Sequence, residues 1–324
     1  MSVKDLVRPA YVSGGLIRSA YAPSRRPIVA VYGNCQAAAL RTLLNTSDDF
    51  KERFNVVRLP GAHEISPVQL KLVQRVLARA SVVFTQRIRN NYRGMQLGTD
   101  ELTKHVRSGA RILTYPSMFY RGLHPYLVYV HATGELGTPA PLTEGYHDLR
   151  FIYAASVGMS DSEAVAWLQS FSGASDFIAS VADDSINALS SRDQDMDIPV
   201  SSVIRGLKER SFWTLNHPSN EVLGEAAKAA HSILGTENPK NLPGPQLLTS
   251  VVIPVHSDVR EALHYPVKQS RMKWVVGSRS YFDEEVLAAH LDFYRARPEV
   301  LVSARHEHEA LLARAGLSAG KSKA

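Results

Sequence analysis

The sequence has very little cysteine and no long apolar run. Its 324 residues contain one cysteine, Cys35, so the chain cannot form an internal disulfide and nothing points to an oxidising compartment. The N-terminal stretch has no continuous apolar segment of signal-peptide length, and no later run is long enough to cross a bilayer. We therefore expect a soluble, cytoplasmic protein with no transmembrane segment.

Several binding motifs are also absent from the sequence. The formal net charge is +6, but there is no lysine-rich block and no recognisable nucleic-acid module, so nucleic acid is not an expected partner. No GxGxxG or P-loop pattern occurs, which disfavours dinucleotides and nucleoside triphosphates. No HExxH or paired Cys/His spacing occurs either, so no metal is expected. Arginines recur instead in short segments, which suits a pocket for a defined phosphate.

The residues that are present alternate between strand-like and helix-like patterns. At 44% hydrophobic residues the chain can form a substantial core. Short apolar, β-branched runs predict four strands, at Ile28–Tyr32, Phe54–Pro60, Ser81–Thr85 and Ala110–Pro116. Helical patterns separate them, so we predict an α/β fold with a doubly wound, mostly parallel sheet and a C-terminal helical subdomain.

Capping residues mark the helices between these strands. The first helix follows the first strand directly, within the sequence QAAALRTLL. Ser66 is the predicted N-cap of the second helix, with Pro67 in its first turn. Thr99 is the predicted cap of the third helix, and Gly109 is predicted to end it.

The same patterns divide the chain into four predicted regions. These are an N-terminal arm at residues 1–26, an α/β domain at 27–150, a mainly helical portion at 151–315 and a mobile polar tail at 316–324.

The segments that follow the four strands are the expected place for a ligand. In open parallel sheets, ligands bind outside the carboxyl ends of the strands. The four segments here are GNCQ, PGAHE, QRIRNNYRG and PSMFYRGLHP, and they hold many of the chain's glycines, arginines, amides and histidines. We therefore predict that they meet at one crevice.

Cys35 lies in the first of these segments, where the strand gives way to the helix. If Asn34 caps the helix, the thiol sits at its first turn, where unpaired N–H groups and the helix dipole favour negative charge. This position predicts a depressed pKa and a nucleophilic thiol, with Gly33 allowing the sharp turn and the N–H groups serving as oxyanion donors. The alternative is a small buried residue in a tight turn, as free cysteines often are.

Five motifs together resemble the WcbI-type family of capsular polysaccharide biosynthesis proteins: VYGNCQAAALRTLL, FTQRIRNNYRG, YPSMFYRGLHP, YHD and FWTLNHPSN. The resemblance implies binding of coenzyme A or acetyl-coenzyme A and acetyl transfer to a capsular sugar, with acyl-coenzyme A and a sugar or polysaccharide precursor as partners. It also allows peripheral association with capsule-assembly proteins. Two alternatives stay open, an esterase or deacetylase that acts on an acylated glycan and a non-catalytic coenzyme A-binding assembly protein.

The Gly-Asn-Cys turn is similar to the nucleophile block of SGNH-type hydrolases and acyltransferases, with cysteine in place of serine. No Asp-x-x-His follows it, so three histidines compete as the catalytic base. His217 ranks first because it lies late in the chain and precedes a proline. His147 stands beside Asp148, although neighbouring side chains usually point apart, and His63 follows the second strand.

Candidate residues for coenzyme A come from the strand-end segments. Arginines hold phosphate oxygens in a bidentate fork, and Arg87 and Arg89 should face the same way in an extended segment. The full predicted set is Gly33, Asn34, Gln36, Gln86, Arg87, Arg89, Arg93, Tyr120, Arg121 and His124.

Overall fold

The computed structural model describes residues 14–132, 137–206, 210–265 and 273–318. Its contacts divide the chain into two compact units. The first unit comprises Met1–Met118, Ala188–Leu207 and Pro218–Leu248, and the second comprises Phe119–Asn187, Lys208–His217 and Thr249–Ala324. Each unit is thus assembled from three separate segments, whereas the regions predicted from sequence are continuous.

Nine strands and fourteen helices lie in the described residues. The strands are β1 (Ile28–Tyr32), β2 (Asn55–Val57), β3 (Ala80–Thr85), β4 (Arg111–Thr114), β5 (Leu127–Val128), β6 (His147–Asp148), β7 (Val251–Val252), β8 (Lys273–Val276) and β9 (Arg279–Phe282). The helices are α1 (14–21), α2 (Cys35–Leu44), α3 (Asp48–Arg53), α4 (Pro67–Leu77), α5 (Thr99–Thr103), α6 (Leu149–Ser156), α7 (Asp161–Ser170), α8 (Ser175–Asp193), α9 (Ser201–Gly206), α10 (Asn220–Leu234), α11 (Ser257–Ala262), α12 (Asp283–Ala296), α13 (Pro298–Glu307) and α14 (Glu309–Arg314).

The first unit is built on a four-stranded sheet of order β2-β1-β3-β4 with every neighbouring pair parallel. The chain crosses from β1 to one side and then returns to the other, which is the doubly wound topology predicted from the sequence. All five residues of β1 are buried, as expected for a strand in the middle of a parallel sheet. The fold class is therefore confirmed.

Local signals set most of the helix starts in this unit. Ser66 caps α4 in a reciprocal pair with Gln69, and Pro67 is the first helical residue, as predicted. The prediction for α5 was wrong at both ends, because Gly98 is the N-cap and the helix stops at Thr103. The Thr99 hydroxyl instead bonds the Gln86 carbonyl at 2.6 Å, which fixes the loop after β3.

The N-terminal segment contributes to the core of the first unit. Leu16 and Ala20 on α1 are each 1% exposed and pack with residues of the central strands. Residues 14–21 of the predicted arm are therefore part of the packed unit, and residues 1–13 lie outside the described ones.

The second unit combines helices with two small antiparallel sheets, β5-β6 and β7-β8-β9. The three-stranded sheet was not predicted within the helical portion. Asp148 caps α6 and pairs with Arg150 at 2.7 Å, and both side chains are buried. The sequence predicts two helices divided at Pro298, and this is confirmed, since α12 ends at Ala296 and Pro298 begins α13.

The end of the described chain corrects part of the predicted tail. Leu317 is only 3% exposed, so it belongs to the core and not to a solvated tail. Residues 319–324 of the predicted tail lie outside the described residues. Among the described helices, none is both long enough and apolar enough to span a membrane.

Candidate functional site

The turn between β1 and α2 places Cys35 at the start of a helix. The Asn34 side chain accepts a hydrogen bond from the Gln36 N–H at 2.9 Å, so Asn34 is the N-cap as predicted. Gly33 has no room for a side chain, because a Cβ atom would lie 2.5 Å from Gln86 Oε1 and 2.7 Å from the Tyr115 hydroxyl. Glycine is thus required here by close packing.

Hydrogen bonds join this turn to the loops after the other three strands. The Gly33 carbonyl accepts from the Ala62 N–H at 2.8 Å, beyond β2. The Asn34 N–H donates to Gln86 Oε1 at 2.8 Å, beyond β3. Gln36 donates to the Met118 carbonyl at 2.7 Å, beyond β4. The four strand-end segments of the first unit therefore meet, as the topology predicts.

Two buried glutamines form the centre of this arrangement. Gln36 Oε1 accepts from Gln86 Nε2 at 2.9 Å and from the Met118 N–H at 3.0 Å. Gln36 is 0% exposed and Gln86 is 2% exposed. Both amides are committed to protein groups, so in this state they position the turn and do not face a ligand.

The thiol of Cys35 is not the ionised group that the sequence predicted. Its pKa is raised to about 11, mainly by burial and to a smaller extent by the nearby Glu64 carboxylate. The N–H groups of Cys35 and Gln36 lower the pKa, but their effect is smaller than the cost of removing the thiolate from water. The predicted depressed pKa is therefore wrong for this state, and the thiol is neutral at pH 7.

The loop after β2 is held by an arginine that the sequence assigned to a phosphate. Arg93 donates to the carbonyls of His63 and Ile65, at 2.5 and 3.4 Å. Its backbone has φ +55°, so the side chain is presented from a constrained turn. The His63 side chain is exposed. Arg93 thus fixes the segment that carries His63 and Glu64.

Arg87 and Arg89 are the more accessible of the predicted arginines. Both side chains are exposed while Ile88 between them is half-buried, which agrees with the predicted alternation. Arg87 contacts Asp195, with 3.6 Å between the guanidinium and the carboxylate, in an exposed pair of little stability value. Arg87 also donates to the Asp195 carbonyl at 3.1 Å, and both arginines are accessible enough to contribute to an anion site.

A second pair of arginines was missed in the sequence. Arg58 follows β2 and lies close enough to Arg41 on α2 to lower its pKa, although burial of Arg41 is the larger cause. The buried Nε of Arg41 has no hydrogen-bond partner among the described residues. No local motif marks this pair, since it depends on the β1–β2 pairing and on the packing of α2.

The leading candidate base, His217, belongs to the second unit. It is 9% exposed, and its Nδ1 has no hydrogen-bond partner within the described ranges. Burial lowers its pKa to about 4, partly opposed by a hydrogen bond to the Val251 backbone. The ring is therefore neutral at pH 7. Because Nδ1 has no partner in those ranges, Nε2 is the nitrogen that donates to the Val251 backbone, which leaves Nδ1 unprotonated.

His147 has a different environment in the same unit. Its Nδ1 lies 2.6 Å from the Tyr294 hydroxyl and its Nε2 lies 3.1 Å from the Thr138 carbonyl. The carbonyl can only accept, so Nε2 carries the proton and Nδ1 accepts from the tyrosine. Both ring nitrogens are thus engaged. Asp148 does not orient the ring, as anticipated, because it pairs with Arg150.

The remaining predicted cofactor residues also lie in the second unit. The Tyr120 ring packs 5.5 Å from that of Phe212. Arg121 donates to the Pro125 carbonyl at 3.0 Å, and burial lowers its pKa to about 10. His124 is 4% exposed, and burial lowers its pKa. These side chains are largely packed within the protein.

The last feature is whether the side chains could hold a metal ion. Within the part of the chain that the structure describes, no group of three or more His, Cys, Asp or Glu side chains is arranged to hold a metal ion.

Comparison with known proteins assigns the chain to a family. The family model described as "Polysaccharide biosynthesis enzyme WcbI" matches residues 28–239, which is more than half of the sequence. The chain belongs to the WcbI family. No curated protein matches significantly.

A solved structure of WcbI has a similar fold, with a TM-score of 0.76 and 20% sequence identity over 90% of this chain and 99% of that one. It is described as a novel polysaccharide biosynthesis enzyme, in its native form without a disulfide bond between coenzyme A and a cysteine.

Proposed function

We propose that this WcbI-family protein binds coenzyme A and transfers an acyl group, acetyl in the simplest case, to a sugar hydroxyl during synthesis of a capsular or extracellular polysaccharide. The observation that carries the proposal is the position of Cys35, at the point where the four strand-end segments of the first unit meet. The family assignment supports the polysaccharide context. The description of the solved WcbI structure refers to a disulfide bond between coenzyme A and a cysteine, which is absent from that native form. This reference supports coenzyme A as the ligand here, since Cys35 is this chain's single cysteine.

The start of α2 suits the charge that develops in acyl transfer. When the sugar oxygen attacks the thioester, the carbonyl oxygen becomes negative in the tetrahedral intermediate. The positive end of the helix and the Cys35 N–H would stabilise that oxygen. The C–S bond then breaks, the new C–O ester bond remains, and coenzyme A leaves with the sulfur electron pair and takes up a proton.

The raised pKa of Cys35 favours direct transfer over an acyl-cysteine intermediate. A thiol with a pKa of about 11 is almost entirely protonated at neutral pH, and the thiolate is the nucleophilic form. We therefore assign to Cys35 the positioning of the coenzyme A sulfur. The sugar hydroxyl would attack the thioester itself, after losing its proton to a base.

His217 is the proposed base, on the evidence of its own surroundings. Its Nδ1 lacks a partner in the described structure, and the bond to Val251 favours the tautomer that leaves this nitrogen as an acceptor. His147 lacks this property because both of its nitrogens are occupied. His63 is exposed and is the other candidate base.

Turnover of acetyl-coenzyme A tests the proposal directly. The purified protein would be incubated with acetyl-coenzyme A and a panel of sugar acceptors, and both free coenzyme A and acetylated sugar would be measured. General-base catalysis is worth about 10²–10⁴-fold, so His217→Gln should lower kcat by at least about a hundredfold. His147→Gln is the matched buried control and should keep kcat per folded molecule. Cys35→Ser should retain more than about a tenth of wild-type kcat under direct transfer.

Three results would contradict the proposal. Release of acetate from an acetylated glycan without coenzyme A would indicate the esterase. Tight coenzyme A binding with no turnover on any acceptor would indicate the non-catalytic protein. Loss of activity by orders of magnitude in Cys35→Ser, with coenzyme A binding intact, would indicate covalent catalysis by the thiol.

A further inference from the structure

A separate groove lies in the second unit, among helices α6, α13 and α14. Its volume is about 350 Å³, at the lower end of the range for small-molecule sites. Tyr153 lines it from α6, Arg305 and His306 from α13, and Glu309 and Leu312 from α14. Most of this lining lies beyond residue 239, where the family match ends.

The charged side chains of the groove are not paired with one another or with neighbours. Arg305 and Glu309 make no ion pair or hydrogen bond within the described residues, although both line the same space. Nearby charges behave differently, since Arg297 pairs with Glu299 and Arg314 pairs with Asp184. Both side chains are exposed, so the groove offers a donor and an acceptor within the same space.

This combination favours a ligand without net charge. An anion would be attracted by Arg305 and repelled by Glu309. A cation would be attracted by Glu309 and repelled by Arg305. A hydroxyl group both donates and accepts, so the several hydroxyls of one ligand can bond the guanidinium and the carboxylate. Hydrogen bonds to charged partners are stronger than those between neutral groups, which favours a polyhydroxyl ligand.

Apolar surface accompanies these polar groups. The Tyr153 ring packs against Trp167 with 5.2 Å between centroids, so its orientation is fixed before any ligand binds. Val302 and Leu312 both line the groove, the first 67% exposed and the second 7% exposed. A sugar ring presents a face of C–H groups as well as hydroxyls, which matches such a mixed surface.

We infer that the groove among α6, α13 and α14 is a binding site for a neutral sugar residue of a glycan. It is a second site, outside the Cys35 turn, and it would retain a growing polysaccharide on the protein. The inference draws on the family's place in polysaccharide biosynthesis and does not require acyl transfer or coenzyme A.

Saturation-transfer NMR without coenzyme A tests the inference. The probes are methyl glucoside, methyl galactoside, methyl N-acetylglucosaminide, cellobiose and lactose, with glucuronate and glucosamine as charged comparisons. At least one neutral probe should bind saturably, and Arg305→Ala and Glu309→Ala should each weaken it by about tenfold or more. Glu299→Ala, on α13 but outside the groove, is the control and should bind like the wild type. Circular dichroism would verify that every variant is folded.

Three outcomes would overturn the sugar site. These are no saturation by any neutral probe at about tens of millimolar, tighter binding of a charged probe than of every neutral one, and wild-type binding by both groove variants. Coenzyme A binding, measured on the same samples, separates the two hypotheses. If the protein binds neutral sugars but no coenzyme A, the proposed function is contradicted and the sugar site is not.

Discussion

The Cys35 thiol experiences two opposing effects at the start of α2. The N–H groups of Cys35 and Gln36 stabilise the thiolate, while burial and the Glu64 carboxylate disfavour it, and the balance is a pKa of about 11. A position at a helix N-terminus is thus insufficient to activate a cysteine when the side chain is removed from water.

This balance predicts slow alkylation of Cys35. A thiol with pKa 11 contains on the order of a hundredfold less thiolate at pH 8 than a free cysteine with pKa about 8.5. Iodoacetamide modification, followed by intact-protein mass spectrometry, should therefore be slow at pH 8 and accelerate up to about pH 11. Urea-unfolded protein is the control and should react near the free-thiol rate. A rate profile with an apparent pKa below 8.5 in the folded protein would contradict the assignment.

The same pKa has a consequence for stability at alkaline pH. The unfolded thiol ionises first, so the contribution of Cys35 to stability is fully present below about pH 8.5 and is lost as the pH rises toward 11. Cys35→Ser should remove the thiol's share of the alkaline loss of stability, which urea unfolding between about pH 8 and pH 10 would measure.

At the scale of elements, a pair of glutamines joins the loops that end the parallel strands. Gln36 on α2 bonds Gln86 after β3 and both backbone groups of Met118 after β4. Replacing either amide leaves buried partners without hydrogen bonds, which costs more than the bond itself contributes.

Gln36→Leu and Gln86→Leu should therefore each lower the free energy of unfolding by about 1–3 kcal/mol. The double variant should lose less than the sum, because the two side chains share one hydrogen bond and residues in contact couple by about 0.5–3 kcal/mol. Urea unfolding of the four proteins measures this coupling. Gln96→Leu, at an exposed position, is the control and should change stability by less than about 0.5 kcal/mol. Strict additivity would show that the pair does not act as a unit.

Sequence patterns predicted the elements that depend on neighbouring residues. The strand β1, the Asn34 and Ser66 caps and the break at Pro298 all follow from local signals, and all are confirmed. The α5 prediction failed because Gly109 has φ +78° in the turn before β4, so the same glycine signal marks a turn and not a helix end.

The remaining features depend on contacts between distant parts of the sequence. The interleaved units, the β7-β8-β9 sheet and the use of Arg93 as a loop clamp have no local signature. At the candidate site, the sequence correctly placed Cys35 in the first turn of a helix capped by Asn34. It could not give the pKa of the thiol, because burial is set by the loops after β2, β3 and β4.

At the scale of the whole molecule, buried neutral histidines predict acid sensitivity. Burial lowers the pKa of His147 and His217 to about 4 and that of His290 to about 3. The unfolded chain binds these protons near pH 6.5, so the stability that the neutral rings contribute is present above that pH and is lost as the pH falls toward 4 and 3.

Urea unfolding between pH 7 and pH 4 would measure this loss. Each histidine contributes a slope of up to about 1.4 kcal/mol per pH unit. A free energy of unfolding that stays constant over this range would show that these rings are protonated in the folded protein.

The central claim is that the protein binds coenzyme A at the turn that holds Cys35, and a calorimetric titration tests it most directly. The titration would use coenzyme A with a reducing agent present, so that no mixed disulfide forms. We predict one coenzyme A bound per chain and weaker binding in the Arg87→Ala/Arg89→Ala variant, with the bound protein melting at a higher temperature and its Cys35 protected from alkylation. No saturable heat and no protection of Cys35 at millimolar coenzyme A would contradict the account.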